Sequence, residues 1–348
     1  MDANTKIIFL GIGAIGGTAA AWVSSRHANT YLLGRGETLA ALRAGGLTLY
    51  AAGAPERKER YPVQTIQDLS EVPDADVVVL GVKLYQLEEA ARAVRAQLGD
   101  RVLIVGLQNG VEGERILPRY FSRVIYGVVC YNAWVDAPGL IGYQTRGPIL
   151  LGTPGNELQD EVAQLATLFN LGFEAHTIRR LRDAAHCKLV VNLGNSVTTL
   201  MGLNYRPIDD LDLFQRILAE TLYEGVQVVR AAGRREIRLG NIPPWRTVWA
   251  AARAPQGLTR GIFRRNLRQL TMSSMGQDVL QRKKTDTELE YLNGYLVSLA
   301  DQVQHPAPYN RTIYRLCREA FARPDFEPLS ARLVWEEIRR TQAAARRA

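Results

Sequence analysis

The sequence predicts an α/β fold, with an N-terminal doubly wound parallel sheet followed by a second, all-helical domain. Three observations carry this. Short apolar runs alternate with helical stretches through residues 1–150, which is the rhythm of βαβ units. Some of those runs are unbroken, such as Val77-Val78-Val79-Leu80, as strands buried on both faces of a parallel sheet must be. Beyond Leu181 the strand pattern fades and long helical periodicities replace it. At 348 residues the chain is also longer than one core usually organises, and the expected division is 1–180 and 181–348.

Residues 7–10 read as the first strand, 14–25 as the first helix and 31–33 as the second strand. Strands at 77–81 and 102–106 flank a helix over 84–98. In the second domain the helical pattern covers 184–200, 211–232, 277–302 and 310–321. Between these, residues 240–268 carry Pro243-Pro244 and breaks at Gly240, Pro255-Gln256-Gly257 and Gly261, so this stretch reads as irregular or as short surface helices. After Pro328, Ser330 offers a cap for a charged amphipathic run to Arg347, a last helix packed on the outside or against a partner.

Composition narrows the function classes. With 47% apolar and 22% charged residues the chain is globular rather than disordered. It has no uninterrupted apolar run of about 18 residues, and Met1-Asp2-Ala3-Asn4-Thr5-Lys6 leads into a strand instead of a signal peptide. The expectation is a soluble cytoplasmic protein with no membrane partner. Three cysteines far apart and four histidines suit neither a disulfide framework nor a zinc site. The net charge of +8 is uneven, −1 over residues 1–180 and +9 over 181–348. Arg260, Arg264, Arg265 and Arg268 form the densest cluster, with the spacing of one exposed helix face. No nucleic-acid fingerprint accompanies these charges, and the five tryptophans do not interleave with basic stripes. We expect no nucleic-acid partner, five core or interface tryptophans, and a basic surface that attracts anionic ligands.

Gly11-Ile12-Gly13-Ala14-Ile15-Gly16 follows the first strand and opens the first helix, the context of a Rossmann-type dinucleotide site. The first glycine permits the tight turn, the second admits pyrophosphate to the backbone, and the third lets helix and strand pack closely. The second strand ends in Gly34-Arg35. A guanidinium there suits the 2′-phosphate of NADP(H), while Glu37 keeps NAD or dual use open. The loops Val82-Lys83-Leu84-Tyr85-Gln86 and Leu107-Gln108-Asn109-Gly110 should face the same crevice. Taken alone, Lys83 reads as a solvated helix-start lysine and Asn109-Gly110 as a turn.

The helix around His186–Ser196 is the most informative. At ~100° per residue, Asn192 lies ~40° and Asn195 ~−20° from Lys188, so an ammonium and two carboxamides share one stripe of a mostly apolar helix. That stripe is either a surface or the lining of a cleft in which the lysine donates a proton.

These segments, taken in order, resemble the ketopantoate reductases, NADPH-dependent enzymes of pantothenate synthesis within the 6-phosphogluconate dehydrogenase-like group. The resemblance runs from residue 7 to about 321. It includes the glycine motif, Arg35, the two loops, Pro138-Gly139, the Lys188 helix, Ser273-Ser274-Met275-Gly276-Gln277-Asp278, and Thr287-Glu288-Leu289-Glu290-Tyr291-Leu292-Asn293-Gly294. It implies that Lys188 protonates the new alkoxide and Glu288 helps to hold that lysine. Asn192 and Asn195 would position the 2-oxo acid, and Ser274 would bind its carboxylate. Lys83 and Asn109 would lie where cofactor meets substrate, between the two domains, and Arg35 would bind the 2′-phosphate.

The chain departs from the family's pattern at Ser196, where a second asparagine is usual, and at His186, where a tryptophan is common. Two extra residues fall near 284–286, and the stretches 240–268 and beyond 328 have no evident counterpart. His186 reads as a satisfied interdomain residue, Cys187 as packing and Glu224 as structural. The alternatives are a related NADP-dependent enzyme for another 2-oxo or hydroxy acid, distinguished by residues around Asn195-Ser196 and Tyr131-Asn132, and a non-catalytic NADPH sensor. A sensor has no use for a proton donor. The helical half offers surfaces for a homodimer.

Overall fold

A computed structural model describes residues 1–238, 240, 242–267 and 272–345. The chain forms two compact units, Met1–Ala185 and His186–Ala348.

The first unit contains twelve strands among the described residues: β1 (Ile7–Leu10), β2 (Thr30–Leu33), β3 (Leu47–Ala51), β4 (Lys58–Tyr61), β5 (Gln64–Ile66), β6 (Val77–Leu80), β7 (Leu103–Gly106), β8 (Val124–Val129), β9 (Ala133–Ala137), β10 (Leu140–Tyr143), β11 (Ile149–Gly152) and β12 (Ala175–Thr177). Eight of them form one sheet in the order β12-β11-β8-β7-β6-β1-β2-β5. It is parallel except where β11 runs antiparallel to β8. The helices are α1 (Ala14–Ser24), α2 (Gly36–Gly45), α3 (Leu84–Leu98), α4 (Gly113–Ile116) and α5 (Gln159–Phe169). Every residue of β6 and β7 is buried, as their unbroken apolar sequences require.

A second sheet, in the order β4-β3-β10-β9, was not legible in the sequence. Three of the four residues of β4 are exposed, so no apolar run announces it. Its central pairing joins β10 in parallel to β3 across some ninety positions of chain. Helix α1 lies against strands of both sheets, with Trp22 fully buried. The Ile141 Cδ1 atom occupies the place where a Cβ on Gly17 would stand, so the β10 side chain packs into the gap that this glycine leaves on α1.

The second unit is helical, beginning within α6 (Leu181–Met201) and continuing through α7 (Leu211–Ala231), α8 (Trp245–Arg253), α9 (Gln256–Leu267), α10 (Ser274–Gly276), α11 (Tyr295–Gln302), α12 (Pro308–Phe321) and α13 (Ala331–Ala345). Leu193, Val197, Phe214, Leu296 and Ile313 are among its core residues. The stretch expected to be irregular or short-helical forms α8 and α9, and Gly261 lies inside α9 rather than breaking it. Arg260 and Arg264 both face Asp212, at 2.5 and 3.9 Å, so the arginine cluster is partly neutralised by α7. Arg268 lies outside the described residues. Trp249, expected in a core or interface, is 53% exposed. Among the described residues no helix is long and apolar enough to cross a membrane.

The single helix expected over 277–302 is a correction. The chain forms a π-helical turn at Gln277–Gln281, leaves the helix, and resumes with a second π-turn at Glu290–Gly294 that leads into α11. The buried Asp278 carboxylate draws Arg282 (3.0 Å) and Lys284 (3.4 Å) around itself. Lys284 N–H returns to the Asp278 carbonyl at 2.9 Å, and Lys283 takes a φ of 55° to make the reversal. Periodicity alone does not register a carboxylate that ends a helix in this way.

Glu224, on α7, is structural as read. Its buried carboxylate accepts from the backbone N–H groups of Tyr309 (3.0 Å) and Asn310 (2.8 Å) and from Asn310 Nδ2 (2.9 Å), satisfying donors at the start of α12. Burial outweighs those donors and pushes the carboxyl up to about 7. The folded state then holds a proton that the unfolded chain releases near pH 4.5. This contribution to stability is complete below that pH and is lost as pH rises through 7. Chemical denaturation from pH 5 to 8 should show the wild type losing up to about 3 kcal/mol relative to Glu224→Gln; parallel pH profiles would refute the assignment.

Candidate active site

In the first unit, four adjacent strands of the large sheet, β2, β1, β6 and β7, run parallel. Their carboxyl ends carry Arg35, Gly11–Gly16, Lys83 and Asn109 in that order. Four segments separated by up to 98 positions are thereby aligned along one edge, the place where doubly wound sheets bind ligands. Gly11 has a φ of 96°, and a Cβ on it would strike the backbone at Val82. A Cβ on Gly16 would strike the Gly11 carbonyl oxygen. Gly13, the residue before α1, has no atom within 4 Å of where its Cβ would stand. Two glycines therefore serve packing, while the middle one borders open space.

Sequence reasoning missed Gly81. A Cβ there would lie 2.7 Å from the Gly11 oxygen and 3.0 Å from Gly16 Cα, so it completes a glycine-to-glycine contact between β6 and the motif. Its only sequence signal was its place at the end of an apolar run. Gln108 stands on a loop expected to face the crevice, but its Nε2 donates to the carbonyls of Leu80 (2.7 Å) and Val82 (3.1 Å). It ties the loop after β7 to the loop bearing Lys83. Lys83 and Asn109 are half-buried, and Arg35 and Glu37 are exposed at the start of α2. The Asp68 carboxyl is held below its usual range chiefly by Ser70, with the Arg35 guanidinium adding to the effect. Tyr131, considered a pocket residue, is instead in the core with its hydroxyl 2.9 Å from Thr18 Oγ1.

In the second unit, Lys188, Val191, Asn192, Asn195 and Thr198 form the half-exposed stripe of α6, and all other positions from His186 to Met201 are buried. The predicted lysine and two asparagines thus share the one open face of an otherwise enclosed helix. The Asn192 Nδ2 atom is buried with no hydrogen-bond partner among the described residues, an arrangement that costs about 1–3 kcal/mol unless something else accepts from it. His186 is satisfied by Tyr295, whose hydroxyl is 2.8 Å from Nε2. Cys187 packs as read, with Ile237 N–H directed at its sulfur at 3.4 Å.

Two further segments dock on the next turn of α6. Ser273 caps α10 through its hydroxyl, which accepts from Gly276 N–H (3.1 Å) and lies 3.4 Å from Thr199 Oγ1. Ser274 follows and is exposed. Asn293, inside the second π-turn, donates to Ser196 Oγ at 2.9 Å, so Ser196 serves the core rather than the open stripe. Glu288, just before that turn, is buried.

The family model described as Ketopantoate reductase PanE/ApbA matches residues 7–156, and its C-terminal counterpart matches residues 180–321. The chain belongs to the ketopantoate reductase family. A 2-dehydropantoate 2-reductase of Mesorhizobium japonicum is 31% identical over 249 residues, covering 64% of this chain and 75% of its own. The crystal structure of 2-dehydropantoate 2-reductase from Geobacter metallireducens superposes with a TM-score of 0.72 at 19% identity, covering 90% of this chain and 99% of that one. D-mandelate dehydrogenase in a ternary structure with NADH and anilino(oxo)acetate shares the fold at a TM-score of 0.70 and 20% identity, over 90% and 98% of the two chains. As a member of the ketopantoate reductase family the chain is an oxidoreductase, and its α13 lies beyond the residues that the family models match.

Proposed function

We propose that the chain reduces ketopantoate to pantoate with NADPH. The observation that carries this reading is the α6 stripe, on which Lys188 stands with two carboxamides and one of them has a buried N–H₂ in want of an acceptor. A substrate carbonyl or hydroxyl oxygen would meet that need.

The residues at the strand ends fit a dinucleotide. Gly13 leaves room for pyrophosphate beside the backbone, α1 begins with no side chain capping its first N–H groups, and such an N-terminus favours an anion. Arg35, exposed at the end of β2, would hold the 2′-phosphate. Lys83 and Asn109 would hold the end of the cofactor nearest the substrate. When bound, the reduced nicotinamide supplies hydride to the C2 carbonyl.

As charge grows on the substrate oxygen, the Lys188 ammonium stabilises it and then transfers an Nζ proton to it. Glu288, as a carboxylate, keeps that lysine charged. Asn192 and Asn195 orient the substrate through their amides, and the Ser274 hydroxyl donates to its carboxylate.

NADPH oxidation, followed by absorbance with ketopantoate beside a panel of other 2-oxo acids and repeated with NADH, tests this. Ketopantoate should give the highest kcat/KM and NADPH should be preferred. Arg35→Ala should raise KM for NADPH by about 10- to 100-fold, the scale of one lost charged hydrogen-bonding group, and leave KM for NADH little changed. Faster turnover of another 2-oxo acid would overturn the substrate, and an unchanged cofactor preference in Arg35→Ala would overturn the role of that arginine.

A further inference from the structure

We infer that Ser196 and Asn293 are a positioning pair that sets the rotational register of Glu288 for its work on Lys188; the inference rests on the reading of Lys188 as proton donor. Both side chains are fully buried. Asn293 Nδ2 donates to Ser196 Oγ at 2.9 Å, and that hydroxyl donates onward to the Leu193 carbonyl at 2.8 Å. One bond therefore joins the helix of Lys188, Asn192 and Asn195 to the segment that follows Glu288.

The form of that segment makes the bond consequential. Asn293 lies inside the π-turn Glu290–Gly294, and the Glu288 carbonyl accepts from the N–H groups of Tyr291 and Leu292, both at 3.1 Å. Glu288 thus heads an ordinary helical turn that runs straight into the π-turn, whose own i+5 bond reaches from the Tyr295 N–H back to the Glu290 carbonyl. A π-turn holds one residue more than an α-turn, and such turns recur at functional sites. If it relaxed to α-helix, everything before it would rotate by ~100° and shift by ~1.5 Å relative to α11. That is enough to move the Glu288 carboxylate from one side of the helix to another.

Stability alone does not account for the pair. Asn293 Oδ1 is buried with no partner among the described residues, whereas apolar side chains of similar size would fill the space without an unsatisfied acceptor. What the amide supplies is direction, since it must reach one particular hydroxyl on α6.

Ser196→Ala and Asn293→Leu are compared with Lys188→Ala and Glu288→Gln in the full-length protein. The measurements are kcat/KM for ketopantoate across pH, NADPH affinity and thermal melting. Both pair variants should lower kcat by about tenfold, a part of the roughly 10²- to 10⁴-fold that proton transfer contributes, since the acid itself is kept. Their basic pH limb should move to lower pH in the same sense as in Glu288→Gln, with NADPH affinity unchanged. A merely structural pair would lower the melting temperature and leave the pH limb at its wild-type position, and that result overturns the inference. If Asn293→Leu fails to fold, Ser196→Ala, which removes a single oxygen, decides. Turnover retained in Lys188→Ala would instead remove the underlying reading. Loss of turnover there together with a wild-type pH profile in Ser196→Ala removes only the pair.

Discussion

Lys188→Ala is expected to lower kcat by about 10²- to 10⁴-fold, the range that general acids contribute, while NADPH affinity stays near the wild-type value. Lys188 belongs to the half-exposed stripe of α6, and the core contacts of that turn come from Leu189 and Val190, which are 0% and 1% exposed. Truncation at 188 therefore leaves the apolar core of that turn intact but takes the proposed cation from the buried Glu288 carboxylate, so the melting temperature should fall while the folded protein still binds NADPH. Lys188→Arg should also be slow, because a guanidinium keeps its charge but holds its proton too tightly to give it up. Stopped-flow and steady-state assays on the two variants separate hydride transfer from binding. A kcat within threefold of wild type in Lys188→Ala would place the acid elsewhere, and intact biological function without turnover would favour the NADPH sensor.

The second large effect is a contrast between two glycines of one motif. Gly16→Ala should destabilise the first unit by several kcal/mol, because its Cβ would meet the Gly11 carbonyl oxygen, and Gly11 is itself packed against the backbone of Gly81 and Val82. Gly13→Ala should leave the melting temperature of the ligand-free protein unchanged, since nothing lies within 4 Å of the added carbon. It should nevertheless weaken NADPH binding by at least about tenfold by standing where pyrophosphate must approach. Differential scanning fluorimetry with and without NADPH reads both quantities. Equal losses of ligand-free stability in the two variants would show that Gly13 is a packing residue and that the motif's open space lies elsewhere.

Much of this was legible in the sequence because the relevant signals are local. Strand β6 and helix α3 announce themselves through uninterrupted and amphipathic apolar patterns, and the stripe of Lys188, Asn192 and Asn195 follows from helical spacing alone. What escaped depends on contacts distant in sequence. The parallel pairing of β3 with β10 has no local signature, and the exposed residues of β4 resemble a loop. The break after Gln281 is made by Asp278 gathering Arg282 and Lys284, three residues that fit a helix equally well when read one at a time. Ser196 was weighed for the pocket and belongs to the core because its partner, Asn293, is 97 positions away.

The last helix carries a consequence for how the protein is made. Ala331, Val334 and Ile338 of α13 are fully buried in the core of the second unit, and Thr341 bonds to Thr312 on α12 at 2.8 Å. Burying the valine and isoleucine alone is worth about 4 kcal/mol, a large part of the stability of an ordinary domain. Domains generally fold as units during synthesis, the N-terminal one first. The first unit can therefore close on the ribosome while the second still lacks one wall of its core. Until Ile338 has emerged, the faces of α7 and α12 that α13 covers are bare, so a chaperone is of most use in the interval between the synthesis of α12 and that of α13.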